Sequence, residues 1–194
     1  MNSNQSILNI VKQTIDLQSD SIKNLNKYLN VDFVDCVQLI LKSKGRVIVS
    51  GIGKSAIIAQ KIVATLNSTG TPSLFMHAAD AIHGDLGMLQ ENDITICISK
   101  SGNTPEIKAL LPFIKRMGNA IIALTGNMNS FLAKESDIAL DVSVEKEACP
   151  NNLAPTTSTT AQLVIGDALA VCLLELRGFG SKDFAKYHPG GALG

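Results

Sequence analysis

The chain has no tryptophan, and its aromatic residues amount to only 4% of 194 positions. Stacking platforms for bases or sugar rings are therefore not expected. A surplus of either charge is also missing, since 17 Lys and Arg stand against 17 Asp and Glu. Without a basic excess or a Lys/Arg block, the chain has no electrostatic footprint for nucleic acid or for an anionic membrane surface. The 4 cysteines, Cys36, Cys97, Cys149 and Cys172, never take C-x-x-C spacing. That excludes zinc-finger and thioredoxin-type sites and reads as ordinary buried thiols in a reducing compartment. No basic segment followed by an apolar run opens the chain. The most apolar long stretch, Leu163 to Leu176, contains Asp167 and Glu175 and is too short to cross a bilayer. These absences leave a soluble, cytoplasmic protein with neither nucleic acid nor membrane as partner. Its length fits one domain, 1–194, with a substantial core.

Two helices are expected at about 5–44. Leu8, Val11, Ile15, Ile22, Leu25 and Leu29 keep heptad spacing, broken only by Gln18. Such a stripe either covers a core or packs on another subunit. A second helix runs from Asp32 to Lys44, with Gly45 as its stop signal. From Arg46 onward, short apolar runs alternate with helical patterns. The runs are 47–49, 73–76, 94–98, 120–124 and 138–142, most of them apolar on both faces. The helical patterns lie at about 54–68, 104–117, 129–135 and 156–178. This alternation is that of an α/β doubly wound, five-stranded parallel sheet flanked by helices, with an N-terminal helical segment. Ligands of such sheets bind beyond the carboxyl ends of the strands.

The polar, glycine-rich segments fall at those ends. Gly53-Lys54-Ser55 resembles a P-loop, but the earlier glycine it needs is replaced by Ile48. Gly51, Gly53 and Ala56 formally satisfy the dinucleotide fingerprint, yet the acidic residue after the second strand is missing. Ser99-Lys100-Ser101-Gly102-Asn103-Thr104 follows a buried strand and opens a helix. Ser101 and Thr104 can donate to an anion, Gly102 permits close backbone approach, and the helix head adds N–H groups and a positive dipole end. This is a cradle for a phosphate monoester; simple helix capping is the alternative. The hydroxyl run Thr156 to Thr160 either lines the same site or caps its own helix. Candidate acids and bases are Glu106, Glu147, His83 and His188, with His77 a weaker candidate at a strand end.

Several of these segments resemble one family. They are Gly51-Ile52-Gly53-Lys54-Ser55, Ser68 to Pro72, His83-Gly84-Asp85-Leu86-Gly87-Met88, Lys146-Glu147-Ala148-Cys149-Pro150, Leu153 to Thr156 and His188-Pro189-Gly190-Gly191-Ala192-Leu193-Gly194. In this order they resemble the D-arabinose 5-phosphate isomerases, sugar isomerase (SIS) domain enzymes of the KdsD/KpsF/GutQ type. The resemblance covers about residue 40 to the end. It implies an SIS-type, flavodoxin-like fold and interconversion of D-ribulose 5-phosphate and D-arabinose 5-phosphate for Kdo and lipopolysaccharide synthesis. It implies a site of Lys54, His83, Glu106, Glu147 and His188, and a homotetramer with sites at subunit contacts. Many relatives continue into paired CBS domains, which these residues do not contain. Lys100 stands where a small polar residue is common; it would bind an anion or point to solvent.

Aldose–ketose exchange needs an open-chain sugar, a base that moves a proton between C1 and C2, and stabilisation of the enediolate oxygen. It needs no cofactor, metal or hydride carrier, in keeping with the failed NAD signature and the lack of a His/Asp ligand cluster. Glu147 is the first choice of base, because a carboxylate beside Ala148, Cys149 and Pro150 can have a raised pKa. His188 would open the ring or shuttle protons, Lys54 would offset phosphate or enediolate charge, and Glu106 would orient Lys54 or share the acid–base work. Base and shuttle can be exchanged between Glu147 and His188. Gly53, Ser55, His83, Ser99, Ser101, Gly102, Asn103 and Thr104 complete the expected substrate-binding set.

Overall fold

The computed structural model of the chain describes residues 3–190. Five strands, β1 (Val47–Gly51), β2 (Ser73–His77), β3 (Ile94–Ser99), β4 (Ala120–Thr125) and β5 (Ile138–Asp141), form one sheet. All are parallel, in the order β2-β1-β3-β4-β5. This is the doubly wound arrangement expected, with the direction of winding reversing between β1 and β3. The central strands β1 and β3 are buried along their whole length, in keeping with their mainly apolar sequences, and they carry Ser50, Thr95 and Ser99 into the interior with them.

Helices α1 (Ser3–Asn24), α2 (Val31–Lys42), α3 (Lys54–Ser68) and α7 (Thr157–Leu176) belong to one side of the sheet. There Ile62, Leu66, Ile165 and Leu169 pack with Val49, Ile96 and Ile98. Helices α4 (Ala78–Ala81), α5 (Pro105–Arg116) and α6 (Phe131–Glu135) cover the other side, where Ile107, Leu110, Leu111 and Leu132 meet Ile48, Cys97 and Ile121. A last helix, α8 (Ser181–Tyr187), follows α7. The sequence reading did not separate α4 and α8; four and seven residues are too short for a helical period to register.

Three expectations are corrected by packing. First, Gly45 does not stop α2, which ends at Lys42 with extended Ser43 as its cap. The glycine is needed because a Cβ there would lie 2.1 Å from the carbonyl oxygen of Asn92. Second, α7 forms where a helix was expected, but its 20 residues, unlike the shorter stretch Leu163 to Leu176, could span a bilayer by length and composition alone. Its apolarity has another cause: Ala161, Ile165, Gly166, Leu169, Ala170 and Leu173 are buried in the core. Third, the heptad stripe, which could have covered a core or packed on another subunit, divides between α1 and the turn after it. Leu25 is buried, but Leu8, Val11 and Ile15 are at least half exposed, as are Ile7 and Ile10.

Cys36 and Cys97 are buried, and burial pushes both thiols up to about 12, as inert core cysteines require. At the amino edge of the sheet, Arg46 and Asp93 lock β1 to β3. Asp93 accepts from Arg46 N at 2.7 Å, Nε at 3.2 Å and Nη2 at 2.6 Å, and from Gln90 N at 2.9 Å. Burial raises the Asp93 carboxyl, but these donors outweigh it and hold it below its ordinary range. Asp93→Ala leaves the Arg46 charge and two backbone N–H groups unsatisfied and is expected to cost about 3 kcal/mol. For a chain of this size the melting temperature should fall by about 6–12 °C. Phosphate binding at the opposite edge should be unchanged, measured by the stabilisation that added phosphate confers.

Candidate functional site

Three helix heads converge at the carboxyl edge of the sheet, where β1 and β3 part. A cavity of about 270 Å³ opens there. Ile52, Lys54 and Ser55 line it from the β1–α3 turn; Ile98, Ser99, Lys100, Ser101 and Thr104 line it from the β3–α5 turn. Pro155, Ser158, Thr159 and Gln162 close it from the head of α7. Among the described residues, two lysines and no carboxylate line the cavity. Larger hollows exist, among them one of about 650 Å³ beside Lys42 and Asp93. That one lies at the amino edge, where parallel sheets do not bind ligands.

The three heads differ in how their unpaired N–H groups are met. Gly53 at the head of α3 offers no side-chain cap. Thr104 at the head of α5 makes no cap bond either, because its hydroxyl is 2.8 Å from Ser99 Oγ. Simple capping of α5 by the Ser99 to Thr104 turn is therefore not what forms; the heads of α3 and α5 keep their positive ends free for an anion. The head of α7 is closed by Glu147, delivered from the loop after β5. Its Oε2 accepts from Thr156 N at 2.8 Å and Ser158 N at 3.2 Å. Its Oε1 accepts from Ser158 Oγ at 2.5 Å and Lys100 Nζ at 2.7 Å.

This environment overturns the raised pKa expected for Glu147. Burial does push the carboxyl up, but the donors from Lys100, Ser158 and Thr156 outweigh it and hold it at about 2. Apolar neighbours in the sequence were a poor guide, because the chain folds the carboxylate away from them and into a ring of donors. The Glu147 side chain is fully buried behind Ser158 and Lys100 and is not part of the cavity wall. Lys100 neither points freely to solvent nor stands alone: it is the ion partner of Glu147.

Other expected site residues also have different tasks. Gly102 has φ +62°, and a Cβ there would come within 2.0 Å of Ser130 Oγ. Its N–H is bonded to Ser99 Oγ and O, so it braces the turn and does not present its N–H to a ligand. Asn103 holds Ser101 O and Phe131 N, tying the cradle to α6. Glu106 is half-buried in the first turn of α5 and forms no ion pair with Lys54. His83 is exposed in the turn after α4, away from the cavity wall. His77 sits at the end of β2 with Nδ1 3.3 Å from Asp80.

His188 is remote. Phe179 lies against Gly70 at the amino edge, and Tyr187 stacks on Phe179 with ring centroids 5.8 Å apart. The neighbouring His188 stacks on Phe184 and bonds the carbonyl of Phe184 through Nδ1 at 2.8 Å. The 15 residues of α3 separate that edge from the cavity by about 20 Å. Its motif partners Gly191 to Gly194 lie outside the described residues. Sequence reasoning missed Gln162, which is buried and accepts from Ser55 Oγ at 3.3 Å. Its signal was a polar residue within an apolar helical stretch. Among the described residues no group of three or more His, Cys, Asp or Glu could hold a metal ion.

The SIS domain pattern matches residues 39–172, which hold both turns, Glu147 and the head of α7. The chain belongs to the SIS domain family. It is 53% identical over 194 residues to the arabinose 5-phosphate isomerase KdsD of Pseudomonas aeruginosa, covering 100% of this chain and 60% of that protein. It is 52% identical over 189 residues to the arabinose 5-phosphate isomerase KpsF of Escherichia coli O6:H1, covering 97% and 58%. The chain thus spans less than two thirds of these relatives' length. A solved Escherichia coli CFT073 structure in complex with arabinose 5-phosphate superposes with TM-score 0.93 at 41% identity, covering 97% of this chain and 100% of that one. The SIS fold accounts for the cavity's position at the point of reversed winding.

A linkage prediction follows from Glu147. Its carboxyl falls from an ordinary 4.5 to about 2 on folding. A depressed carboxyl stabilises the fold fully above pH 4.5, and the contribution is lost as pH falls toward 2. Glu147→Gln should therefore melt lower than the native chain at pH 7, by roughly 3 kcal/mol of stability. The gap should narrow progressively below pH 4.5 in thermal melts. A gap that is constant from pH 7 to 3 would contradict this account.

Proposed function

We propose that this SIS domain is an aldose–ketose isomerase that interconverts D-ribulose 5-phosphate and D-arabinose 5-phosphate through an enediol(ate), supplying Kdo and lipopolysaccharide synthesis in the cytoplasm. The observation that carries the reading is the uncapped head of α5, with Ser101 and Thr104 facing a cavity lined, among the described residues, by two lysines and no carboxylate. A phosphate monoester matches the Ser101 and Thr104 donors, the open heads of α3 and α5 and the ammonium of Lys54, whereas Lys100 is already paired with Glu147. Relatives named arabinose 5-phosphate isomerase, and the solved complex with that sugar phosphate, support this choice of phosphosugar. The interconversion moves protons between carbon and oxygen and needs no external oxidant or reductant. We take residues 1–194 as a single SIS unit.

In this reading the phosphate rests on Ser101, Thr104 and the heads of α3 and α5, with Lys54 offsetting its charge. The role of base passes from Glu147 to His188, because a carboxylate held at about 2 and closed off by donors is a poor proton acceptor. His188 lies too far from its own cavity, so it enters that of a neighbouring subunit, with Glu106 sharing the acid–base work. The exposed Ile7, Leu8, Ile10, Val11 and Ile15 of α1 offer an apolar face for that assembly. A symmetric tetramer is the form expected.

The direct test is conversion of ribulose 5-phosphate to arabinose 5-phosphate by the purified chain. Ser101→Ala with Thr104→Ala removes two donors worth roughly 1.5–3 kcal/mol each to an anion. Affinity for the 5-phosphate should drop strongly, while affinity for the unphosphorylated sugar should hardly move. Equal losses would show that the turn holds something other than phosphate. Sharing between subunits has its own test. The Ser101→Ala/Thr104→Ala chain and a His188→Ala chain are each expected to be nearly inactive, and co-refolding them should restore part of the activity. Oligomers that form without complementation would return His188 to its own subunit.

A further inference from the structure

Lys100 interrupts the hydroxyl run of the cradle, and its geometry differs from that of its neighbours. Ser101 and Thr104 sit at the head of α5. The Lys100 side chain instead reaches across the cavity to the head of α7, where Nζ lies 2.7 Å from Glu147 Oε1. Its side chain is 47% exposed, whereas that of Glu147 is 0% exposed. Lys100 and Ser158 line the cavity, and both are bonded to Glu147 behind them. An ammonium group has three N–H donors; one meets Glu147, and among the described residues Nζ has no other partner.

A phosphate seated on Ser101 and Thr104 leaves the rest of the sugar to run toward α7. The charge that meets the phosphate and the charge that meets the carbon chain are therefore different ones. From this placement we propose that Lys100 contacts the carbonyl oxygen of the open-chain sugar and stabilises the enediolate, and that Glu147 is the positioning residue that holds its ammonium there. The inference rests on the isomerase reading and adds to it a residue for the charge that develops at the reacting end. Proton transfer between C1 and C2 moves electron density onto the oxygen, and a fixed cation at that oxygen lowers the barrier without reorganising in the step. Glu147 keeps the long, flexible lysine in one arrangement before the substrate arrives.

The test is steady-state isomerisation of ribulose 5-phosphate by the native chain, Lys100→Met, Lys100→Arg, Glu147→Gln and the double variant Lys100→Met/Glu147→Gln. Loss of a preplaced oxyanion-stabilising group should lower kcat by about 10²-fold. The KM of Lys100→Met should stay within about threefold, because the phosphate contacts remain. Lys100→Arg should recover part of kcat by restoring the charge. Glu147→Gln should lose less than Lys100→Met. The double variant, in which no carboxylate is buried without its cation, should match Lys100→Met, since the two residues act as one unit. Protection of each variant against melting by inorganic phosphate verifies the fold and the cradle.

Native turnover with kcat of Lys100→Met within about twofold of it overturns the role of Lys100 and leaves the isomerase reading standing. A loss confined to KM makes Lys100 a phosphate ligand and overturns it equally. A double variant that falls by the product of the two single losses separates Glu147 from Lys100 and removes the positioning role. A native chain that converts neither sugar defeats the isomerase reading itself, and the inference with it.

Discussion

Burying the carboxylate of Glu147 at the head of α7 imposes an order on the whole carboxyl edge. A buried carboxylate without partners would be expensive. Here it receives two backbone N–H groups of α7, the Ser158 hydroxyl and the Lys100 ammonium. The loop after β5, the turn after β3 and the start of α7 are thereby joined at one atom pair. That junction decides which of the three converging helix heads can accept a foreign anion. The head of α7 is already neutralised from within the chain, and those of α3 and α5 remain open. The open, positive helix ends therefore lie on the Ser101 side of the cavity and not on the α7 side.

The two edges of the sheet divide stability from chemistry. At the amino edge, Asp93 gathers four N–H donors from Arg46 and Gln90 and ties the starts of the two central strands together. No flexible ligand-binding turn is needed there, so the charges can be fully paired. At the carboxyl edge the same two strands end in turns whose donors are unequal in partner. Ser99 and Gly102 spend theirs on bracing, while Lys54 stays without an ion pair among the described residues. A sheet anchored at one end can hold an open, polar cleft at the other without losing its register.

Much of this architecture was legible in the residues. The five strands start where their apolar runs start, and α3 occupies 54–68 as its pattern predicts. Those elements are long and strongly patterned, and local sequence alone specifies them. What escaped depends on partners distant in the chain. The acidity of Glu147 is set by Lys100 and by the head of α7, which are 47 and 9–11 residues away. The need for glycine at 45 comes from Asn92, and that at 102 from Ser130 as well as from its own φ. Reading Ser99 to Thr104 as an anion turn was sound in outline. The sequence could not distinguish the hydroxyls that brace the turn, led by Ser99, from those left to face a ligand.

The C-terminal arm separates His188 from the cavity of its own chain. Helix α7 leaves the cavity at its head and delivers the chain to the amino edge, where Phe179 seats on Gly70 and stacks with Tyr187. His188 is fixed there by its own stacking on Phe184 and by the bond from its ring to the Phe184 carbonyl. To reach its own cavity it would have to give up both contacts and retrace the length of α3. Among the described residues the cavity wall presents cations and hydroxyls but no imidazole. His188 and the cavity thus lie at opposite edges of the same sheet. Ile7, Leu8, Ile10, Val11 and Ile15 of α1 stay exposed, and any association that covered them would remove apolar surface from water.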